Sequence, residues 1–156
     1  MIATGTEPKT RTAPDKVGGL RILIAEDYED GAESMALLLR LNGHQVAIAR
    51  NGSAALEYAR INKPDVVLLD LGLPQMNGFD VARALSGTRP RKTPLLIAVT
   101  GWGRDEDRRN SREAGIDLHL LKPVDPVALQ CILIRFQALI RGMRLDNDKD
   151  ASGWGC

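Results

Sequence analysis

Five polar residues in this chain each stand directly after an apolar segment. Three are carboxylates, one is a lysine and one is a threonine. The carboxylates are Glu26 and Asp27, which follow residues 20–25, and Asp70, which follows residues 66–69; Thr100 follows residues 95–99 and Lys122 follows residues 118–121. If the segments are parallel strands of one sheet, the polar side chains meet at one edge, where open α/β sheets bind ligands. We therefore predict a ligand site at this edge.

The three carboxylates favour a bound cation. Neighbouring carboxylates repel each other and raise each other's pKa, so a cluster of them is typical of a metal site. Glu26, Asp27 and Asp70 carry three negative charges and Lys122 one positive charge, which leaves two for a divalent ion to neutralise. Oxygen ligands without His or Cys favour Mg2+, which commonly keeps water molecules that a phosphate can replace. The predicted cofactor is Mg2+ and the predicted ligand is a phosphoryl group.

Asp70 is the predicted phosphoryl acceptor, because a carboxylate oxygen can attack phosphorus and form an aspartyl phosphate. Phosphoryl transfer depends mainly on positioning and charge neutralisation, which the metal, the Lys122 ammonium and the Thr100 hydroxyl would supply. Gly101 leaves room for the incoming group. Gly72, two residues after Asp70, can offer its backbone carbonyl to the metal.

Each residue also has an ordinary structural explanation. The acidic pair could begin a helix with Asp30 as its N-cap, Thr100 is a good strand former, and Lys122 precedes a proline as in many loops. Asp70 is harder to explain in this way, because a charge directly after Val-Val-Leu-Leu is costly near a core unless it is paired or liganded. The coincidence at four strand ends favours the functional interpretation.

The elements that must position these residues alternate along the chain. Apolar runs predict strands at 21–25, 44–49, 66–69, 95–99 and 118–121, and helical periodicity predicts helices at 32–41, 53–61, 79–85 and 106–114. A last, long helix begins with Asp125 as N-cap and Pro126 at its first position. Gly43 and Gly115 fall at predicted helix C-termini. The alternation predicts a doubly wound parallel α/β sheet, with the polar run 44–49 at its edge.

Composition narrows the class of protein. The length of 156 residues fits one domain, and 21 basic against 20 acidic side chains create no strong field toward nucleic acid or a membrane. Cys131 and Cys156 form neither a disulfide framework nor a metal-ligand pattern, which suits a reducing cytosol. No signal peptide or run of about 20 apolar residues is present, so we expect a cytoplasmic protein. We expect residues 1–18 and 144–156 to be flexible tails.

The motifs together resemble the receiver domain of two-component response regulators, over 20–143. The residues that carry the resemblance are the pair Glu26-Asp27, the segment LLDLGLPQMNG around Asp70, the step Thr100-Gly101 and Lys122-Pro123. The resemblance implies a receiver domain at 19–143 with a flavodoxin-like sheet of order 2-1-3-4-5. It also implies that Asp70 accepts a phosphoryl group from a histidine kinase or phosphotransfer protein, with Mg2+.

Two residues depart from what the resemblance leads us to expect. Receivers usually carry Tyr or Phe three residues before the lysine, where this chain has His119. His119 is either a pH-sensitive switch residue or simply a half-exposed side chain on a short strand. Trp102 lies between two glycines and is either a partner-binding anchor or a cover for the rim of the site.

We expect a single-domain response regulator that signals through protein contacts on the face formed by its fourth helix, fifth strand and fifth helix. It would not be an enzyme beyond self-phosphorylation from small donors and self-dephosphorylation. Its downstream target would be a protein, and it would be a monomer or a weak homodimer. One alternative is a receiver fragment of a hybrid histidine kinase; others are an unphosphorylated scaffold or an aspartyl-phosphate phosphatase. The phosphatase is disfavoured because Gly72 stands where such enzymes carry a second Asp.

Overall fold

A computed structural model describes residues 19–86, 94–101 and 105–145 of the chain, except the side chains at 105–108 and 143–145. Strands and helices alternate along it. In chain order they are β1 Arg21–Ala25, α1 Glu29–Leu41, β2 Gln45–Ala49, α2 Gly52–Asn62, β3 Val66–Asp70, α3 Gly78–Ser86, β4 Leu95–Thr100, α4 Asp105–Glu113, β5 Leu118–Leu121 and α5 Pro126–Leu145. The order matches the predicted alternation.

The five strands form one parallel sheet in the order β2-β1-β3-β4-β5. This confirms the predicted fold class and strand order. β1 and β3 lie inside the sheet and are almost fully buried, whereas β5 at one edge is half-exposed. β2, at the other edge, is also only partly buried, as its polar sequence predicted.

Alternating side chains of the central strands pack against helices on both faces. On one face, Ile22 and Ile24 of β1 belong to a buried cluster with residues of α1 and α5. On the other face, Leu23 of β1 packs in a second cluster with residues of α2 and α3. Because strand side chains alternate in direction, a strand covered on both faces reads as a continuous apolar run. The two cores hold the sheet rigid behind its carboxyl edge.

The helix boundaries differ from the predictions by a few residues. α1 begins at Glu29 and not at residue 32, with Tyr28 at its N-cap. Asp30 lies in the first turn, so its proposed N-cap role is wrong. The first turn is exposed and acidic, so the apolar periodicity used to predict the helix did not include it. Acidic residues at this position are favourable because of the helix dipole.

The beginning of α5 was predicted correctly. Asp125 Oδ1 accepts a hydrogen bond from the Val127 N–H at 2.9 Å, as a capping residue does. The helix runs to Leu145, two residues into the segment expected as a tail. The predicted helix ends at Gly43 and Gly115 have positive φ angles of 94° and 90°, which glycine adopts without strain. No helix in the described parts of the chain is both long and apolar enough to cross a membrane.

Candidate functional site

The sheet register brings the three predicted carboxylates together. β1 and β3 are paired neighbours, with Ala25 beside Leu69, so the residues that follow β1 lie next to Asp70 at the end of β3. Glu26, Asp27 and Asp70 each offer an oxygen atom, and these atoms lie within 4.8 Å of one another. Opposite ligands of an octahedral Mg2+ are about 4 Å apart, so this oxygen-only set fits that ion with a small adjustment.

Lys122 reaches the same cluster from the end of β5. Its Nζ atom lies 3.0 Å from Glu26 Oε1 and 3.6 Å from Asp70 Oδ2. The backbone N–H of Lys122 donates to the carbonyl of Thr100 at 2.8 Å, which fixes the start of the loop after β5 beside the end of β4. The Lys122-Pro123 peptide bond is cis. The lysine therefore neutralises part of the charge of two carboxylates, one directly after β1 and one at the end of β3.

The charges of this cluster influence one another. Burial raises the pKa of Glu26, and the negative charge of Asp70 adds to this, while hydrogen bonds from Lys122 and from the Tyr28 N–H oppose it. Burial lowers the pKa of Lys122, but its hydrogen bond to Glu26 and the charges of Asp70 and Glu26 outweigh this, so the pKa lies above its ordinary value. The lysine thus stays protonated, and the site keeps an excess of negative charge that a cation can neutralise.

The Asp70 carboxylate is held by two different partners. Its Oδ1 atom accepts the Gly72 N–H at 2.9 Å, and its Oδ2 atom faces Lys122. Only 13% of the side chain is exposed. A Cβ atom added at Gly72 would lie 3.6 Å from Asp70 Oδ1, so a side chain at this position would stand against the carboxylate. The metal contact through the Gly72 carbonyl stays a prediction.

Thr100 is the last residue of the neighbouring strand β4, and Gly101 follows it. Thr100 is buried and pairs in register with Leu121, directly before Lys122. A Cβ atom added at Gly101 would meet no atom of the described residues within 4 Å. The roles of both residues toward a phosphoryl group stay predictions.

His119 lies in the middle of β5, in register with Ala98, and is half-buried. His119 is not part of the cluster formed by Glu26, Asp27 and Asp70. Its role as a switch stays a prediction. Trp102 lies outside the described residues.

Two neighbours of the site were missed in the sequence. The Tyr28 N–H donates to Glu26 Oε2 at 3.1 Å, a backbone contact that no residue type could reveal. Arg50 follows β2 at the same edge and pairs with Glu29 and Glu33 of α1 at 3.7 and 3.5 Å. The rule that selected the other strand ends could have found Arg50, because it is also a charged residue directly after an apolar strand.

Comparison with known proteins identifies the family. The sequence profile of the response regulator receiver domain matches residues 22–133, a range that contains the described site. This chain belongs to the response regulator receiver domain family. The family expected from the sequence motifs is thus confirmed, and the fold described above is that of a receiver.

Relatives of this receiver domain include both longer and similarly short proteins. Response regulator MprA of Mycobacterium ulcerans is 34% identical over 132 residues, covering 85% of this chain and 55% of MprA. Protein PilH of Pseudomonas aeruginosa is 36% identical over 109 residues, covering 70% of this chain and 90% of PilH. The chain therefore spans about half the length of MprA and resembles most of PilH.

A solved structure supports the same fold. The signal receiver domain of a signal transduction histidine kinase from Syntrophus aciditrophicus superposes with a TM-score of 0.72 at 27% identity. The match covers 86% of this chain and 98% of that one. The receiver fold thus extends over nearly all the described residues.

Proposed function

We propose that this receiver accepts a phosphoryl group on Asp70 from a histidine kinase or a phosphotransfer protein in a Mg2+-dependent reaction. The observation that carries the proposal is the environment of the Asp70 carboxylate. It is fixed by the Gly72 N–H and faced by Lys122, with the oxygens of Glu26 and Asp27 nearby. A carboxylate positioned among cation-binding groups suits phosphoryl transfer, which depends on positioning and charge neutralisation.

The reaction exchanges one bond to phosphorus for another. An Asp70 oxygen forms a bond to phosphorus while the bond between phosphorus and the donor's imidazole nitrogen breaks, and the nitrogen keeps the electron pair. Lys122 and the Thr100 hydroxyl would neutralise charge on the transferred group. Mg2+ bound by Glu26, Asp27, Asp70 and the Gly72 carbonyl would supply further charge neutralisation. Gly101, which carries no side chain, would leave room for the incoming group.

The product would signal through the face formed by α4, β5 and α5. The phosphoryl group adds about 1.5 to 2 negative charges, which attract Lys122 and Thr100. Thr100 ends β4 before α4, and Lys122 lies between β5 and α5, so movement of either residue reaches this face. Leu118, Leu121 and Leu139 are exposed there and could contact a protein partner. A shift from mostly inactive to mostly active needs a differential of about 5.5 kcal/mol, and a smaller coupling gives a partial switch.

The test is incubation with a small acyl phosphate, followed by peptide mass spectrometry. We expect a phosphoryl increment on the peptide that contains Asp70, dependent on Mg2+ and lost in Asp70→Asn. Asp80→Asn is a matched control, because Asp80 is a carboxylate on α3 that pairs with Arg83 at the surface. An increment that survives Asp70→Asn, or none in the wild type, would overturn the proposal.

A hybrid histidine kinase is the second candidate context for this receiver, and the similarity to the Syntrophus aciditrophicus kinase receiver favours it. A receiver inside a relay passes its phosphoryl group on, whereas a terminal receiver keeps it. Rapid loss of the group from phosphorylated Asp70 to a histidine phosphotransfer domain would support the relay. A phosphatase is disfavoured, because Gly72 provides no acid or base and donates its N–H to Asp70. Multiple-turnover hydrolysis of phosphate monoesters would reverse that judgement.

A further inference from the structure

A cavity of about 470 Å³ opens beside the carboxylates and extends under α1. Its walls are almost entirely apolar, and the side chains that form them include Ile24, Leu68, Val99, Ala32, Met35 and Val124. Cavities of 300–1,000 Å³ with apolar walls and a few polar groups are typical of small-molecule sites. The volume is much larger than a phosphoryl group and a metal ion need.

The cavity exists because small residues of α1 face the sheet. Ala32 lines it and is 1% exposed, so its methyl group leaves space between the helix and β1 that a longer side chain would fill. Gly31 lies under the Tyr28 ring, whose Cδ2 atom would be 2.8 Å from a Cβ atom at this glycine. The ring therefore stands at the rim of the cavity, where 61% of Tyr28 is exposed.

The polar end of the cavity is negatively charged. Glu26, Asp70 and Lys122 line it, and Asp27 lies within the same carboxylate cluster, which leaves an excess of negative charge. Carboxylate oxygens accept several hydrogen bonds each, so the described bonds from Lys122, Tyr28 and Gly72 leave acceptor positions. The Tyr28 ring adds a surface that attracts cations. Charge and aromatic character both favour a positive group at this end.

We propose that this cavity binds a small amphipathic amine, with its apolar body between α1 and the sheet and its ammonium group at Glu26 and Asp70. Binding would compete with Mg2+ for the same oxygens. The occupant would therefore hold the receiver in a state that cannot accept a phosphoryl group. This regulatory consequence rests on the proposed function, but the binding itself does not.

The test uses three probes that share one apolar body and differ in head group. They are 4-phenylbutylamine, 4-phenylbutanol and 4-phenylbutyrate, titrated into the unphosphorylated full chain without divalent cations, with binding followed by calorimetry and amide chemical shifts. Because hydrogen bonds between charged groups are stronger than those that involve a neutral hydroxyl, we expect the amine to bind about tenfold more tightly than the alcohol. The acid should bind most weakly. Millimolar Mg2+ should weaken binding of the amine and leave that of the alcohol unchanged.

Variants locate the site. Met35→Trp should fill the cavity and abolish binding of the amine, whereas Leu38→Trp, at a half-buried position of the same helix that does not line the cavity, should leave it intact. If the Trp variants unfold, the comparison of head groups on the wild type still decides. The proposal would be overturned if none of the three probes binds, if all three bind with equal affinity, or if the acid binds most tightly. It would also be overturned if a folded Met35→Trp variant binds the amine with full affinity. Failure of phosphorylation alone would leave amine binding unaffected, so the two proposals are tested separately.

Discussion

Carboxylates stand at both edges of this sheet, but their surroundings differ. At the amino edge, each carboxylate has a backbone partner of its own: Asp65 Oδ2 accepts the Arg21 N–H at 2.8 Å, and Asp117 Oδ2 accepts the Leu96 N–H at 2.9 Å. At the carboxyl edge, Glu26 and Asp70 also accept backbone N–H groups, but oxygens of Glu26, Asp27 and Asp70 lie within 4.8 Å of one another. The environment of each carboxylate, and not its residue type, separates structural groups from binding groups.

The difference follows from what each edge must do. At the amino edge, loops enter the strands, and a carboxylate that accepts a backbone N–H stabilises the start of a strand. At the carboxyl edge, repulsion among the acidic groups costs stability until a cation arrives. The two edges should therefore respond in opposite ways to loss of a carboxylate.

The largest expected effect is stabilisation by Mg2+. An ion that binds only the folded chain stabilises it by about 2.7 kcal/mol at a hundredfold excess over its Kd. Urea unfolding with and without Mg2+ measures this gain. Asp70→Asn should lose most of the gain, whereas Asp65→Asn at the opposite edge should keep it. Equal gains in both variants would remove the distinction between the edges.

Removal of a carboxylate at the amino edge should destabilise the fold. Asp117→Ala leaves the N–H of Leu96, a residue that is 1% exposed, without its acceptor. We expect a loss of about 1–3 kcal/mol in the free energy of unfolding, irrespective of Mg2+. The measurement is urea unfolding in chelator and in Mg2+. A loss that appears only with Mg2+ would place Asp117 in the metal site and contradict the comparison.

Removal of a carboxylate at the carboxyl edge should have the opposite sign when no divalent cation is present. Asp27→Asn relieves repulsion with Glu26 and Asp70, because the three residues offer oxygens within 4.8 Å. The gain in the free energy of unfolding should be at most about 1 kcal/mol in chelator, and it should become a loss in Mg2+. Urea unfolding in chelator and in Mg2+ measures this change in the free energy of unfolding. If Asp27→Asn destabilises the protein in chelator, repulsion among these carboxylates does not determine stability at this edge.

The smallest effect concerns pH at the amino edge. His44 is buried and its Nδ1 atom accepts the Leu20 N–H at 3.1 Å. Burial lowers the pKa of His44 from its ordinary value of 6.5, so the unfolded chain takes up a proton first as the pH falls. Its contribution to stability is therefore complete above that value and is lost below it. His44→Asn, which can still accept the N–H, should flatten the dependence of the unfolding free energy on pH in this range; an unchanged slope would contradict this account.

The sequence predicted the central strands and the clustered groups because both depend on local patterns. Val66–Asp70 is a continuous apolar run that ends in a charge, and parallel pairing then fixes where that charge lies. The beginning of α1 was missed because its first turn is exposed and has no apolar period. The hydrogen bonds of Asp65 and Asp117 join residues distant in the chain. The cavity depends on how closely α1 packs on the sheet, which the sequence does not state.

The most direct test of the central claim is a titration of the unphosphorylated protein with Mg2+, followed by amide chemical shifts. The account predicts saturable shifts at Glu26, Asp27, Asp70 and Gly72, and none at Asp65 or Asp117. No shifts at millimolar Mg2+, or equal shifts at both edges of the sheet, would contradict it.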